Sequence, residues 1–234
     1  MQRAVDKDGE SGEREIGGTG DDKDDRETGR SGDRGSEAER SVTPPMGPRP
    51  LSPYPRPPLN VYLCGMIGSG KTAIGERLAA SLGRGFYDLD REMDRELGYS
   101  FHRFVQEQGW LAFRELEYDI CKRFAGMTGI VAALGGGTPR YAWNRDVLRG
   151  TGVTVLLEAD QATLADRVRQ ADRPRVNPGA SLEEDLARIW STAGHLYRQA
   201  SDVVYRTDAG KDIDAEVRDV LALVAARGVT RPER

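Results

Sequence analysis

Eight residues, Gly65-Met66-Ile67-Gly68-Ser69-Gly70-Lys71-Thr72, constrain this chain more than any others. Before them stands a short apolar run, Leu59-Asn60-Val61-Tyr62-Leu63-Cys64, which reads as a buried strand. After them Ile74, Leu78 and Leu82 recur every four residues along 71–82, which is one face of a helix that Gly83 and Gly85 end. Strand, glycine-rich turn and helix together match the phosphate-binding pattern G-x-x-x-x-G-K-[ST]. The glycines let backbone N–H groups converge on a β-phosphate without side-chain obstruction, and the helix adds its positive N-terminal end. Lys71 is then placed to reach the β- and γ-phosphates and Thr72 to ligate Mg²⁺, so a nucleoside triphosphate is the expected ligand.

The remainder divides into two regimes. Residues 1–58 hold 8 of the 12 prolines and 9 of the 28 glycines, with only 9 hydrophobic residues. They carry 10 Lys+Arg against 13 Asp+Glu, so they have almost nothing to bury and are expected to form a disordered, acidic and Pro-rich extension. A Pro-rich stretch such as 44–58 can serve as an SH3-type ligand, but a solvated tail is the favoured reading, and Met46 offers an alternative start. A folded domain is expected over 59–228, with a flexible tail at 229–234. That length suits one core. No apolar run reaches 18 residues, and the acidic N-terminus carries no secretory or transit signal, so no membrane span is expected and a cytoplasmic protein is the default. The near-neutral charge of the folded part gives no reason to expect nucleic acid. Cys64 and Cys121, 57 residues apart, are expected to be reduced, buried and inert.

Past the first helix, short apolar runs at 86–90, 130–134, 153–157 and 203–206 alternate with helical stretches at 91–97, 100–108, 110–125, 139–149, 161–170, 181–200 and 212–227. That alternation predicts an α/β fold, a central parallel sheet of about five strands covered on both faces. Asp172–Ala180, polar and with two prolines, is expected to be an exposed loop. Two further signals fall at the carboxyl edge of the sheet, where open α/β sheets bind ligands. Asp88-x-Asp90 closes the second strand. Two acids there could divide the work, one holding the Mg²⁺ shell and the other accepting a proton from a substrate hydroxyl. Gly135-Gly136-Gly137 follows the third strand and lets backbone approach a small ligand closely.

Taken together, GMIGSGKT (65–72), FYDLD (86–90), FRELE (113–117), GGG (135–137), RP (173–174) and LY (196–197) resemble the shikimate kinases, in order and at near family spacing, over about residues 59–227. The resemblance implies the three-layer P-loop kinase fold with a mobile lid. It also implies a monomer that uses ATP and Mg²⁺ and acts on a small molecule, with the γ-phosphate passing to the 3-hydroxyl of shikimate. Gly68, Ser69, Gly70, Lys71, Thr72 and Ala73 match the nucleotide loop, and Arg167 matches an arginine set against the adenine. Asp88 matches the acid near the metal. Asp90 matches the acid that binds the acceptor hydroxyls and accepts the proton. Arg114 matches an arginine that grips the acceptor carboxylate, and Gly135, Gly136 and Gly137 match the pocket lining. Arg173 matches the lid arginine that meets the transferring phosphate. Lys71, Asp90 and Arg173 are thus the expected catalytic set.

The chain departs from that pattern at Ala193, where the family has a second carboxylate-gripping arginine, and at His195, where it has a proline. One lost charged partner is worth roughly 2–4 kcal/mol of carboxylate binding. Glu117 is thereby expected to lack its family partner, with His195, Arg198 or Arg140 as candidate substitutes. Trp110 replaces an acid after Gly109, and the lid reads Arg173-Pro174-Arg175-Val176 instead of R-P-L-L. Two rival readings follow: a small-molecule kinase with another acceptor, and a non-catalytic binding module.

Overall fold

The computed structural model describes residues 59–170 and 181–230. The N-terminal extension, the expected lid with Arg173, and residues 231–234 lie outside the described residues. The first strand, β1 (Asn60–Cys64), is followed by helix α1 (Lys71–Leu82), strand β2 (Phe86–Asp88) and helices α2 (Leu89–Leu97) and α3 (Phe101–Gly126). Strand β3 (Val131–Ala133), a 3₁₀ turn at Thr138–Arg140, helix α4 (Ala142–Leu148) and strand β4 (Gly152–Glu158) come next. Helices α5 (Gln161–Gln170) and α6 (Leu182–Gln199), strand β5 (Val203–Arg206) and helix α7 (Ile213–Ala225) complete it.

The five strands form one parallel sheet in the order β2-β3-β1-β4-β5. Placing β1 in the middle makes it hydrophobic on both faces, and its alternation sorts the core in two. Val61 and Leu63 face Ile74, Leu78 and Leu82 of α1 and Val220 and Val224 of α7. Tyr62 and Cys64 face the opposite side, with Met93, Ile120, Phe124 and Leu186. Three layers result, as the strand–helix alternation predicts. Val229, at the start of the expected tail, is buried, and the Thr230 carbonyl accepts a bond from Arg84, so both residues pack on the domain.

Two boundaries differ from expectation for stated reasons. The second strand does not continue to Asp90. Asp88 caps α2: its Oδ1 accepts from the amides of Asp90 (3.1 Å) and Arg91 (3.4 Å), so the chain turns helical at Leu89. The expected helix at 139–149 is instead a 3₁₀ turn followed by α4, with extended Tyr141 between them. Gly109 separates the two expected helical stretches as a kink inside α3 (φ 82°, ψ 175°).

The amino end of β1 carries a polar hub that the sequence reading did not single out. Fully buried Asn60 donates to the carbonyls of Met127 (2.8 Å) and Phe124 (3.2 Å) and accepts from the Ile130 amide (3.1 Å). Those carbonyls lie at the carboxyl end of α3, so one side chain helps satisfy the helix terminus and ties it to the central strand.

Candidate active site

The phosphate loop leaves the carboxyl end of β1 and enters α1 at Lys71. Gly68 has φ +82°, and a Cβ there would stand 3.0 Å from the Leu164 carbonyl oxygen and 3.1 Å from a Val168 methyl, so only glycine fits. Arg167 fastens the loop from α5, donating to the Thr207 carbonyl (2.6 Å), the Thr207 hydroxyl (3.0 Å) and the Gly68 carbonyl (3.4 Å). Ser69 Oγ is buried and unpartnered, a free hydroxyl inside the cradle. Lys71 Nζ folds onto its own loop, donating to the carbonyls of Gly65 and Met66 at 2.9 Å each. Cys64, where strand meets loop, is fully buried, and that burial pushes its thiol up to about 12, so it stays a neutral filler.

Because two helix amides hold Asp88 Oδ1, its other oxygen is aimed at the loop, where it accepts from Thr72 Oγ1 at 2.8 Å. Asp90 lies in the first turn of α2, not on a strand. The division of labour expected of the two acids is therefore produced by a helix cap: Asp88 looks toward α1 and Asp90 toward the glycine triplet. A Cβ on Gly135 would stand 3.3 Å from Asp90 Oδ1 and 3.4 Å from Glu117 Oε1.

The triplet is where the segments meet. A Cβ on Gly137 would lie 3.2 Å from both terminal nitrogens of Arg114, and one on Gly136 would lie 3.7 Å from the Ile67 amide of the phosphate loop. Tyr197, from α6, donates its hydroxyl to the Gly136 carbonyl. Asp90, Arg114, the three glycines and the phosphate loop thus surround one crevice at the carboxyl edge of the sheet.

Glu117 lacks the family's arginine partner, as Ala193 implies, but other groups take its place. It is 1% exposed and accepts from Arg114 (2.8 Å), Thr138 Oγ1 (2.8 Å) and Asn144 Nδ2 (3.0 Å). The i,i+3 spacing from Arg114 is a helical pair that the sequence already displayed. Thr138 and Asn144 are residues that sequence reasoning missed, for they become neighbours only when the 3₁₀ turn and α4 fold back on α3. Arg114 also sits over three rings, Tyr141 (4.4 Å), Phe113 (4.7 Å) and Trp110 (5.5 Å). Trp110, 54% exposed, thereby serves the arginine with its face where the family has an acid.

Ala193 is 3% exposed, packed in the core with Tyr197 and Leu186. Of its candidate substitutes, His195 is exposed, and Arg198 is committed to Glu158 (2.5 Å) and to the face of Trp190 (4.9 Å). A separate cavity of about 220 Å³ lies behind the 3₁₀ turn, near Asn144, Arg145, Thr154 and Asp202. Its lining includes Leu134 and Thr138, which flank the glycine triplet in sequence.

A family model described as "Shikimate kinase" matches residues 67–224. The chain belongs to the shikimate kinase family. It is 37% identical over 169 residues to the shikimate kinase of Nitratidesulfovibrio vulgaris, covering 70% of this chain and 95% of that one. To the shikimate kinase of Symbiobacterium thermophilum it is 35% identical over 175 residues, covering 73% of this chain and all of the relative. Among solved structures it is similar to the shikimate kinase of Acinetobacter baumannii in complex with shikimate, with a TM-score of 0.68, 29% identity and coverage of 75% and 97%. The five-stranded order and flanking helices described above are thus those of the P-loop kinases in this family.

Proposed function

We propose that this chain transfers the γ-phosphate of ATP to the 3-hydroxyl of shikimate, giving shikimate 3-phosphate and ADP, with the crevice between the phosphate loop and the glycine triplet as the reaction site. The observation that carries this reading is the convergence of Asp90 and Arg114 on that triplet beside the Ile67 amide. An acid and a guanidinium at those positions fit an acceptor that offers hydroxyls at one end and a carboxylate at the other.

The residues fit the roles that the chemistry needs. Backbone amides of residues 68–72 and the N-terminus of α1 receive the phosphates, and Lys71 exchanges its two loop carbonyls for phosphate oxygens. Thr72 Oγ1 and Asp88 Oδ2, 2.8 Å apart, form the oxygen pair that would hold Mg²⁺ and its water. Two protein oxygens would leave the rest of the ion's shell to phosphates and water. When bound, Mg²⁺ neutralises charge on the β- and γ-oxygens. Asp90 orients the acceptor hydroxyl and takes its proton as the O–P bond forms. Arg114 holds the carboxylate, and its planar fork gives a bidentate grip that lysine lacks. We assign Arg173, outside the described residues, to the transferring phosphate and Arg167 to the base side of the nucleotide. The same reading makes the protein a cytoplasmic monomer with neither nucleic acid nor membrane as partner; among the described residues no helix is long and apolar enough to cross a membrane.

The test is an ADP-release assay with ATP, Mg²⁺ and a panel of hydroxylated acids and polyols. Shikimate is expected to be the best acceptor, with a product phosphorylated at one hydroxyl by ³¹P NMR. No ADP at millimolar shikimate, or a better rate with an uncharged polyol, overturns the assignment.

A further inference from the structure

The positive charge of Arg114 is shared before any acceptor arrives. Glu117, a buried carboxylate at 2.8 Å, already pairs with it. An acceptor carboxylate entering there meets a cation whose charge is largely offset. Another positive charge is needed, and α6 does not supply it: Ala193 is apolar, His195 points to solvent and Arg198 is paired with Glu158.

Arg140 meets the requirement. It ends the 3₁₀ turn three residues beyond Gly137, with its amide bonded to the Gly137 carbonyl at 3.1 Å. Its side chain is exposed and, among the described residues, makes no ion pair, side-chain hydrogen bond or ring contact, whereas Arg145 on the same segment is tied to the Pro139 carbonyl (2.8 Å). Its location can be read from Tyr197. That phenol bonds the Gly136 carbonyl, and burial pushes it up to about 12. The positive charges of Arg140 and Arg114 both act on it in the opposite sense, Arg140 the more strongly. Both guanidinium groups are thus within electrostatic reach of the one buried oxygen that is bonded to the glycine triplet.

We propose that Arg140 supplies the second positive charge for the acceptor's carboxylate, doing from the glycine turn what no side chain of α6 can do. The inference rests on the assignment of shikimate as acceptor. It makes Arg140 a binding residue that sets specificity for acids over neutral polyols, and it accounts for how a chain with alanine at position 193 can still hold an anionic substrate.

The experiment compares Arg140→Ala, Arg140→Lys and Arg140→Ala/Ala193→Arg with the parent, measuring kcat, both KM values and the Kd for shikimate by calorimetry. Arg140→Ala is expected to raise KM and Kd for shikimate about 10- to 100-fold, the loss of one charged contact, with kcat and KM for ATP within twofold. Arg140→Lys should recover most of the loss, and restoring arginine at position 193 should recover part. With an acceptor whose carboxylate is replaced by a hydroxymethyl group, parent and Arg140→Ala should be equal. An unchanged KM in Arg140→Ala, or an equal loss with the carboxylate-free acceptor, overturns the proposal. A parent that binds shikimate without phosphorylating it defeats the reaction assignment, and the Kd comparison alone then decides Arg140. A parent that binds no shikimate overturns both.

Discussion

The phosphate cradle and the acceptor pocket share one sheet edge but are built in different ways. The cradle is contiguous: residues 65–72 supply it mainly with backbone, and their partners Gly68–Leu164 and Arg167–Thr207 only hold the loop in shape. The pocket is assembled from α2, α3, the glycine turn and α6, and its working groups are side chains that reach one another across the fold: Asp90, Arg114, Glu117, Thr138, Asn144 and Tyr197. A backbone-built site tolerates little change within its short segment. A side-chain-built one can lose a member and redistribute the work, because several segments reach the same place. Ala193 and Trp110, two of the departures from the family pattern, both lie on the pocket side, and Trp110 lies beside Arg114, which Glu117, Phe113 and Tyr141 also hold.

The largest expected effect tests whether the halves are separable in function. Asp90→Asn keeps the shape of the first turn of α2 and leaves the cap made by Asp88 intact. It removes the group that takes the proton, so kcat should fall by about 10³-fold. The Kd for ATP, measured with a fluorescent nucleotide, should stay within twofold. If nucleotide binding falls in parallel, Asp90 belongs to the cradle and the division drawn here is wrong.

Glu117→Ala breaks the pocket at its hub. It leaves Arg114 without its buried counter-charge and strips Thr138 and Asn144 of their acceptor. Breaking a buried ion pair from one side costs about 3–5 kcal/mol. Urea unfolding should show a loss of that size, and KM for shikimate should rise in protein that still folds, with KM for ATP little changed. A loss under about 1 kcal/mol would mean that water replaces the carboxylate and that the network is not what organises the pocket.

The same contrast explains what could be read before the fold was seen. The cradle was fully legible, since a motif eight residues long encodes its own geometry and needs only a strand before it and a helix after it. The layered sheet was legible from alternation, because β1, with Val61 and Leu63 toward one core and Tyr62 and Cys64 toward the other, is apolar on both faces. Asp90, Arg114 and the glycine triplet could be singled out from the sequence, but their wiring was only partly legible. Glu117 was expected to lack the family's arginine partner, and it does, but its pairing with Arg114 one helical turn away went unread; Asp90 was assigned to a strand because the run Phe86–Leu89 hides a helix cap. Asn144 gave no local signal, as its contact with Glu117 spans 27 residues and exists only through tertiary packing.

The smallest expected effect asks whether Trp110 is part of the pocket or merely beside it. The indole is about half exposed, yet its ring lies 5.5 Å from the Arg114 guanidinium and meets Phe113 edge-on at 5.5 Å. A cation–π contact at a partly exposed site is worth about 0.5–1 kcal/mol. Trp110→Ala should therefore raise KM for shikimate about two- to fivefold through a less well held Arg114, with KM for ATP and overall stability nearly unchanged. Trp110→Phe should recover part of that, since a phenyl face attracts a cation less strongly than an indole. Trp110→Glu separates the two ways in which the position could act. A carboxylate there would offer Arg114 a second anion to compete with the substrate, so KM should rise beyond the alanine value. If Glu instead lowers KM, the position works by drawing Arg114 toward solvent and the aromatic face contributes nothing to holding it.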